Sequence, residues 1–116
     1  MSSDRIADRL DDIVLNIDRI SGHLESVDQV QFATDLLVYD AVERCLERIC
    51  EAVAQLTRLG LELERLEPTV PWGDIRGLGN RLRHGYFAMD SDRLWVTATR
   101  DLAPSRAAAT RLQVGD

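Results

Sequence analysis

A chain of 116 residues that is 45% apolar and 29% charged has the length and balance of one folded unit, which argues against disorder and against fibrous repeats. Only 5% aromatics, three prolines, and runs of Leu, Ile, Val, Ala, Glu and Arg favour helix and argue against an all-β fold. With 20 acidic residues against 14 basic ones, every one an arginine, the net charge of -6 disfavours general coating of nucleic acid by a basic surface.

In chain order, Ile6, Leu10, Ile13, Ile17, Ile20 and Leu24 recur at steps of 4, 3, 4, 3 and 4, which predicts an amphipathic helix over residues 4–24. Ser3 or Asp4 is the expected cap, and Asp4, Asp8, Asp11 and Asp12 lie where the helix dipole favours acids. Leu36, Tyr39, Val42, Leu46, Ile49, Val53 and Leu56 repeat the pattern within residues 28–59. The length of that region invites a break at residues 38–40, and an unbroken helix antiparallel to the first has the same periodicity. Cys45 and Cys50 are five apart, about 140° around a helix, so they neither pair nor share a metal within it. Small buried or boundary hydrophobes in a reducing cytoplasm, with no signal peptide recognised, is their expected role.

Residues 61–70 read as a connector closed by Pro68. A third helix is expected to start near Pro71, with Thr69 as candidate cap, and to end at His84 or Gly85. A fourth runs from Ser91 or Asp92 to about Asp101, with Asp90 and Asp92 as capping candidates, and Pro104 opens a last one carrying Ala107, Ala108, Ala109 and Leu112. Trp72 and Trp95 are expected to wedge these helices against the rest, stacking on unpaired bases being the alternative. His23 is expected at the surface or in a cap. No apolar run reaches the ~18 residues of a membrane span, and two histidines with misplaced thiols do not suggest a metal site. The expectation is one domain over residues 1–116, a helical bundle whose narrow first stripe is suited to pairing with a second copy.

One stretch concentrates chemistry: Ile75-Arg76-Gly77-Leu78-Gly79-Asn80-Arg81-Leu82-Arg83-His84-Gly85-Tyr86. Asn80 and His84 are four apart and share a helix face, with Arg81 about 60° and Arg76 about 80° around from His84. A histidine titrating near neutrality beside fixed cations suits proton transfer at a phosphodiester, with arginine neutralising charge on phosphorus. A helix end whose His84 and Arg83 meet the last carbonyls is the structural alternative, and both readings stand on the residues alone. Gly77 and Gly79 do not make a phosphate loop, because the remaining pattern and a preceding strand are absent.

The run from Pro71-Trp72 through Arg83-His84-Gly85-Tyr86 to Asp90, followed by Leu94-Trp95 and Asp101-Leu102, resembles the HepT-like branch of the HEPN superfamily; Glu51-Ala52, after Arg44, fits its second long helix. The resemblance implies an all-α, antiparallel four- to five-helix bundle that dimerises through long helices. It also implies a cytoplasmic toxin of a bacterial toxin–antitoxin pair, acting without metal or cofactor as an endoribonuclease in a composite cleft between two subunits. His84, Asn80, Arg81 and Arg83 are the implied catalytic set, with Arg76 a weaker phosphate ligand. Tyr86 is the implied acceptor of AMP from a minimal nucleotidyltransferase antitoxin (MNT type), which makes the partners a second copy, that antitoxin and RNA. The family signature is an arginine, four to six residues, a histidine, one residue and a tyrosine; where its arginine usually stands this chain has Gly79. Two outcomes follow from that departure: another guanidinium, from Arg81, Arg83, Arg76 or a second subunit, reaches the phosphate, or the chain is a catalytically impaired binding module.

Charge along the chain is uneven. Residues 1–75 hold 7 Arg and 16 acids, net -9, and residues 76–116 hold 7 Arg and 4 acids, net +3. An RNA-directed role is therefore expected around Asn80 to Tyr86.

Overall fold

The computed structural model describes the backbone of residues 2–84 and 91–114 and the side chains of residues 4–82 and 91–114. Among the described residues the chain is helical, without strands: α1 (Ser2–Leu24), α2 (Gln29–Thr34), α3 (Leu36–Arg58), α4 (Leu63–Leu66), α5 (Trp72–His84), α6 (Ser91–Val96), a π-helical turn (Thr97–Asp101) and α7 (Ala103–Val114). The all-α expectation holds.

Apolar periodicity becomes burial. On α1 the stripe Leu10, Ile13, Ile17 and Ile20 is buried against Val42, Leu46, Ile49, Val53 and Leu56 of α3, each side chain contributing roughly 2 kcal/mol gross. Pairings along the helices give their directions. Arg9 near the start of α1 meets Gln55 near the end of α3, Gly79 meets Cys50 while Arg76 meets Thr57, and Asp18 and Asp11 of α1 meet Arg106 and Gln113 of α7. Each neighbouring pair, α7 with α1, α1 with α3 and α3 with α5, is thus antiparallel, and α3 lies at the centre. Both cysteines are buried and unbridged, as expected of small hydrophobes.

Local chemistry places the boundaries. The break in the second region falls at Asp35, earlier than the expected residues 38–40, because the Asp35 carboxylate accepts from the amides of Leu37 and Val38 at 3.1 and 3.3 Å while its own amide closes α2 on the Gln31 carbonyl. An N-cap that satisfies two orphan donors overrides a periodicity that runs through it. At the far end of α3, Gly60 adopts φ 91°, its amide bonding Thr57 and that of Leu61 bonding Leu56, a Schellman closure that a β-carbon would strain. The connector after it holds the short α4. Thr69 does not cap α5; the Pro71 carbonyl accepts from the Ile75 amide at 3.1 Å, which puts the proline just outside the helix, where its missing N–H costs nothing. Trp72 is buried with its indole donating to the Glu67 carbonyl at 3.0 Å, and Trp95 stacks with its ring centre 5.5 Å from Phe32; both act as wedges. Asp92 accepts from Gln29 and ties α6 to α2, while Asp90 lies outside the described residues.

No helix among the described residues is long and apolar enough to cross a membrane.

Candidate active site

Helix α5 carries the motif and has two unlike flanks. Ile75, Leu78 and Gly79 are buried, whereas Asn80 and Arg81 are exposed. Gly79 lies so close to α3 that a β-carbon built on it would stand 2.4 Å from the Cys50 β-carbon, well inside van der Waals contact. The position where the family usually has its arginine is therefore, in this chain, a place where α5 packs tightly on α3.

The remaining motif residues separate around the helix. Arg76 turns toward α3 and α4, donating to the Thr57 hydroxyl at 3.1 Å and pairing with Glu64, which holds the Glu64 carboxyl below the ordinary range. Arg81 faces the other way, into a hollow of about 360 Å³ between α3, α5 and α6 shared with Asp74, Arg93 and Asp101. Asn80 is exposed between them. Arg83 and His84 close α5 with their backbones, but their side chains, and Tyr86 altogether, lie outside the described residues.

A larger cleft, of about 490 Å³, opens along the outer face of α3 and is walled by α1 on one side and by Arg76 and Gly79 of α5 on the other. Arg9, Asp12, Asn16 and Arg19 line it from α1, and Arg44, Glu47, Arg48, Glu51 and Gln55 from α3. Five arginines against three carboxylates make this lining net positive in a chain of net charge -6.

Several of these charges neutralise one another. Arg9 stands 2.9 Å from the Asp12 carboxylate, a charge contact out of line for a hydrogen bond, and donates through its terminal nitrogen to Gln55 at 3.0 Å. Arg44 pairs with Glu47 at 3.3 Å, and Glu51 accepts from both Arg58 and Gln55. Glu51 thus lies beside the cleft, with an arginine partner on its own helix. Among the described residues neither Arg19 nor Arg48 has a carboxylate partner. Beside them the Cys45 thiol is pushed up by burial, against the opposing pull of Arg48, Arg19 and Arg44, so all three guanidinium groups lie within electrostatic reach of it.

Four of the five cleft arginines, Arg9, Arg19, Arg44 and Arg48, come from the acidic part of the sequence, where an RNA-directed surface was not expected. A signal for them exists: Arg9, Asp12, Asn16 and Arg19 step by 3, 4 and 3, and Arg44, Arg48, Glu51 and Gln55 by 4, 3 and 4, each a polar stripe beside the apolar one. Two charge-bearing stripes on antiparallel neighbours meet in one groove. Among the described residues no group of three His, Cys, Asp or Glu side chains stands close enough to hold a metal ion.

The sequence model of the family described as Ribonuclease HepT-like matches residues 13–112, most of the chain and all of α3 and α5. The chain belongs to the HepT-like ribonuclease family. Its relatives include a protein of Thermococcus cleftensis named probable ribonuclease HepT, 32% identical over 82% of this chain and 84% of that one. A Methanocaldococcus jannaschii protein carrying an RNase name is 30% identical over 78% of this chain and 76% of its own length. Another, from Caldanaerobacter subterraneus, also carries an RNase name and is 30% identical over 74% and 70%. No solved structure matches the chain. The family match bears out the resemblance drawn from the residues around His84 and Tyr86.

Proposed function

We propose that the chain is a metal-independent endoribonuclease, the toxin of a toxin–antitoxin pair, working as a dimer. The observation that carries the reading is the match to the HepT-like ribonuclease family over residues 13–112, which takes in α5, the helix that ends at His84. In the proposed reaction the ribose 2′-oxygen attacks the adjacent phosphorus, His84 takes the hydroxyl proton, and a proton is returned to the departing 5′-oxygen. The phosphodiester bond breaks to leave a 2′,3′-cyclic phosphate and a 5′-hydroxyl. Asn80 positions the strand, and arginine, from Arg81, Arg83, Arg76 or the cleft, offsets the charge on phosphorus. Only RNA offers the 2′-hydroxyl.

Cleavage of an RNA oligonucleotide in the presence of a chelator, with its all-DNA counterpart intact and His84→Ala slower by about 10²–10⁴-fold, is the expected result. Equal cleavage of the DNA, or loss of cleavage on chelation, overturns the mechanism.

A second reading is favoured by the tight contact at Gly79, which leaves no room for the signature arginine: a binding module without catalysis, modified by a nucleotidyltransferase partner. Both readings make Tyr86 the acceptor of AMP, whose added phosphate would compete with RNA phosphate for the local cations. The intact mass after incubation with that partner and ATP should rise by one AMP per site. A Tyr86→Phe variant should show no increase.

A further inference from the structure

We infer that Arg19 of α1 and Arg48 of α3 form an RNA phosphate site in the cleft beside Gly79, supplying from the acidic part of the chain the guanidinium charge that the motif lacks. The nature of its ligand rests on the ribonuclease reading.

Three observations converge. Arg9, Arg44 and Arg76 are held by Asp12, Glu47 and Glu64, so among the described residues the cleft's unneutralised charge comes down to Arg19 and Arg48. These two sit on adjacent antiparallel helices and line the cleft whose opposite wall includes Gly79. Asn16, one turn before Arg19, also lines the cleft: it is 3% exposed, its Nδ2 donates to the Asp12 carbonyl at 2.8 Å, and its Oδ1 has no partner among the described residues.

A buried acceptor without a donor is costly, and a ligand that brings a hydroxyl or amine proton relieves it. A ribose 2′-hydroxyl or a base amine carries such a proton; a fully deprotonated anion does not. Two free guanidinium groups for phosphate oxygens, next to an acceptor for a sugar or base proton, suit a nucleotide of single-stranded RNA better than a bare anion. Guanidinium is also the cation best fitted to grip phosphate through two parallel hydrogen bonds.

The test uses the full chain in a His84→Ala background, so that a fluorescent single-stranded RNA oligonucleotide stays intact, and follows anisotropy from 50 to 300 mM NaCl. Arg19→Gln/Arg48→Gln should weaken binding about tenfold or more at the lowest salt and flatten the dependence of log K on log salt by about 1.4. Arg5→Gln/Arg100→Gln removes the same charge from exposed positions outside the cleft and should leave the slope unchanged. Because Arg19 and Arg48 are exposed, the variant is expected to fold, and its circular dichroism and melting temperature check this directly. If the two double variants give the same affinity and slope, the site is overturned, whether or not the parent chain cuts RNA. If the slope falls as expected but the parent with His84 intact cuts no RNA, the nuclease reading fails and the phosphate site stands. In a cutting parent, Arg19→Gln/Arg48→Gln should raise KM more than it lowers kcat; a loss confined to kcat counts against a binding role.

Discussion

At Gly79 a single hydrogen is what lets α5 lie against α3. A Gly79→Ala side chain would put its carbon 2.4 Å from the Cys50 β-carbon, so the helix must move off, which costs about 1–3 kcal/mol and outweighs the up to ~1 kcal/mol that alanine gains as a helix former. The expected result is a lower urea midpoint with an unchanged slope, and a larger drop for Gly79→Arg. An unchanged or higher midpoint for Gly79→Ala would show that α5 moves freely. Restoring the family arginine at this position is therefore not expected to restore a family-like site in this chain. The motif itself was legible in the sequence, since Asn80, Arg81 and His84 announce themselves by type and spacing. That residue 79 faces the Cys50 backbone region was not, because the rotation of α5 about its axis is decided by packing with α3.

At the level of elements, the apolar stripes of α1 and α3 could be read directly, and burial follows them from Leu10 to Ile20 and from Val42 to Leu56, whereas Leu36 at the start of the α3 stripe is 73% exposed. The junction between α2 and α3 could not. Phe32, Leu36, Tyr39 and Val42 step by 4, 3 and 3 across it, while Asp35 ends one helix and begins the next with the same residue. Asp35→Ala should cost about 1 kcal/mol, seen as a fall of roughly 4–8 °C in melting temperature, and Asp35→Asn should recover most of it by keeping the acceptor. An alanine variant as stable as the parent would mean that packing around Phe32 and Tyr39, not the cap, holds the junction.

Across the whole molecule, charge pairs add to apolar packing in fastening the last helix, whose Ala108 and Ala109 are buried in the core. Helix α7 is tied to α1 by Arg106 on Asp18, through two hydrogen bonds of 2.7 and 3.0 Å, and to the segment before α5 by Arg111 on Glu67. The arginine hydrogen bonds hold the carboxyls of Asp18 and Glu67 below their ordinary values. A carboxyl whose folded pKa is depressed stabilises the fold above its unfolded value and loses that contribution as the pH falls through the folded one, so the loss begins near about pH 4 and grows below it. The pairs are exposed, so each effect is small and is screened by salt. Hydrogen exchange should show α7 losing protection ahead of α1 and α3 between pH 4.5 and 3, and Asp18→Asn should blunt that pH dependence. Uniform loss across all helices would reject α7 as the acid-sensitive element.

From its sequence alone this protein was determined to be all-helical, to bury two long apolar stripes, and to belong with the HepT-like ribonucleases through the residues around His84. Those properties depend on local propensity, on a period of 3.6 residues and on residue identity, all of which a linear string carries. Only the tertiary structure decided which arginines gather. Charge counted along the chain pointed to residues 76–116, but ion pairs tie Arg76, Arg106 and Arg111 to acids, while Arg19 and Arg48, twenty-nine residues apart in a net acidic stretch, come to line one cleft without a carboxylate partner among the described residues. Electrostatic potential depends on distance in space, and the antiparallel packing of α1 on α3 sets that distance.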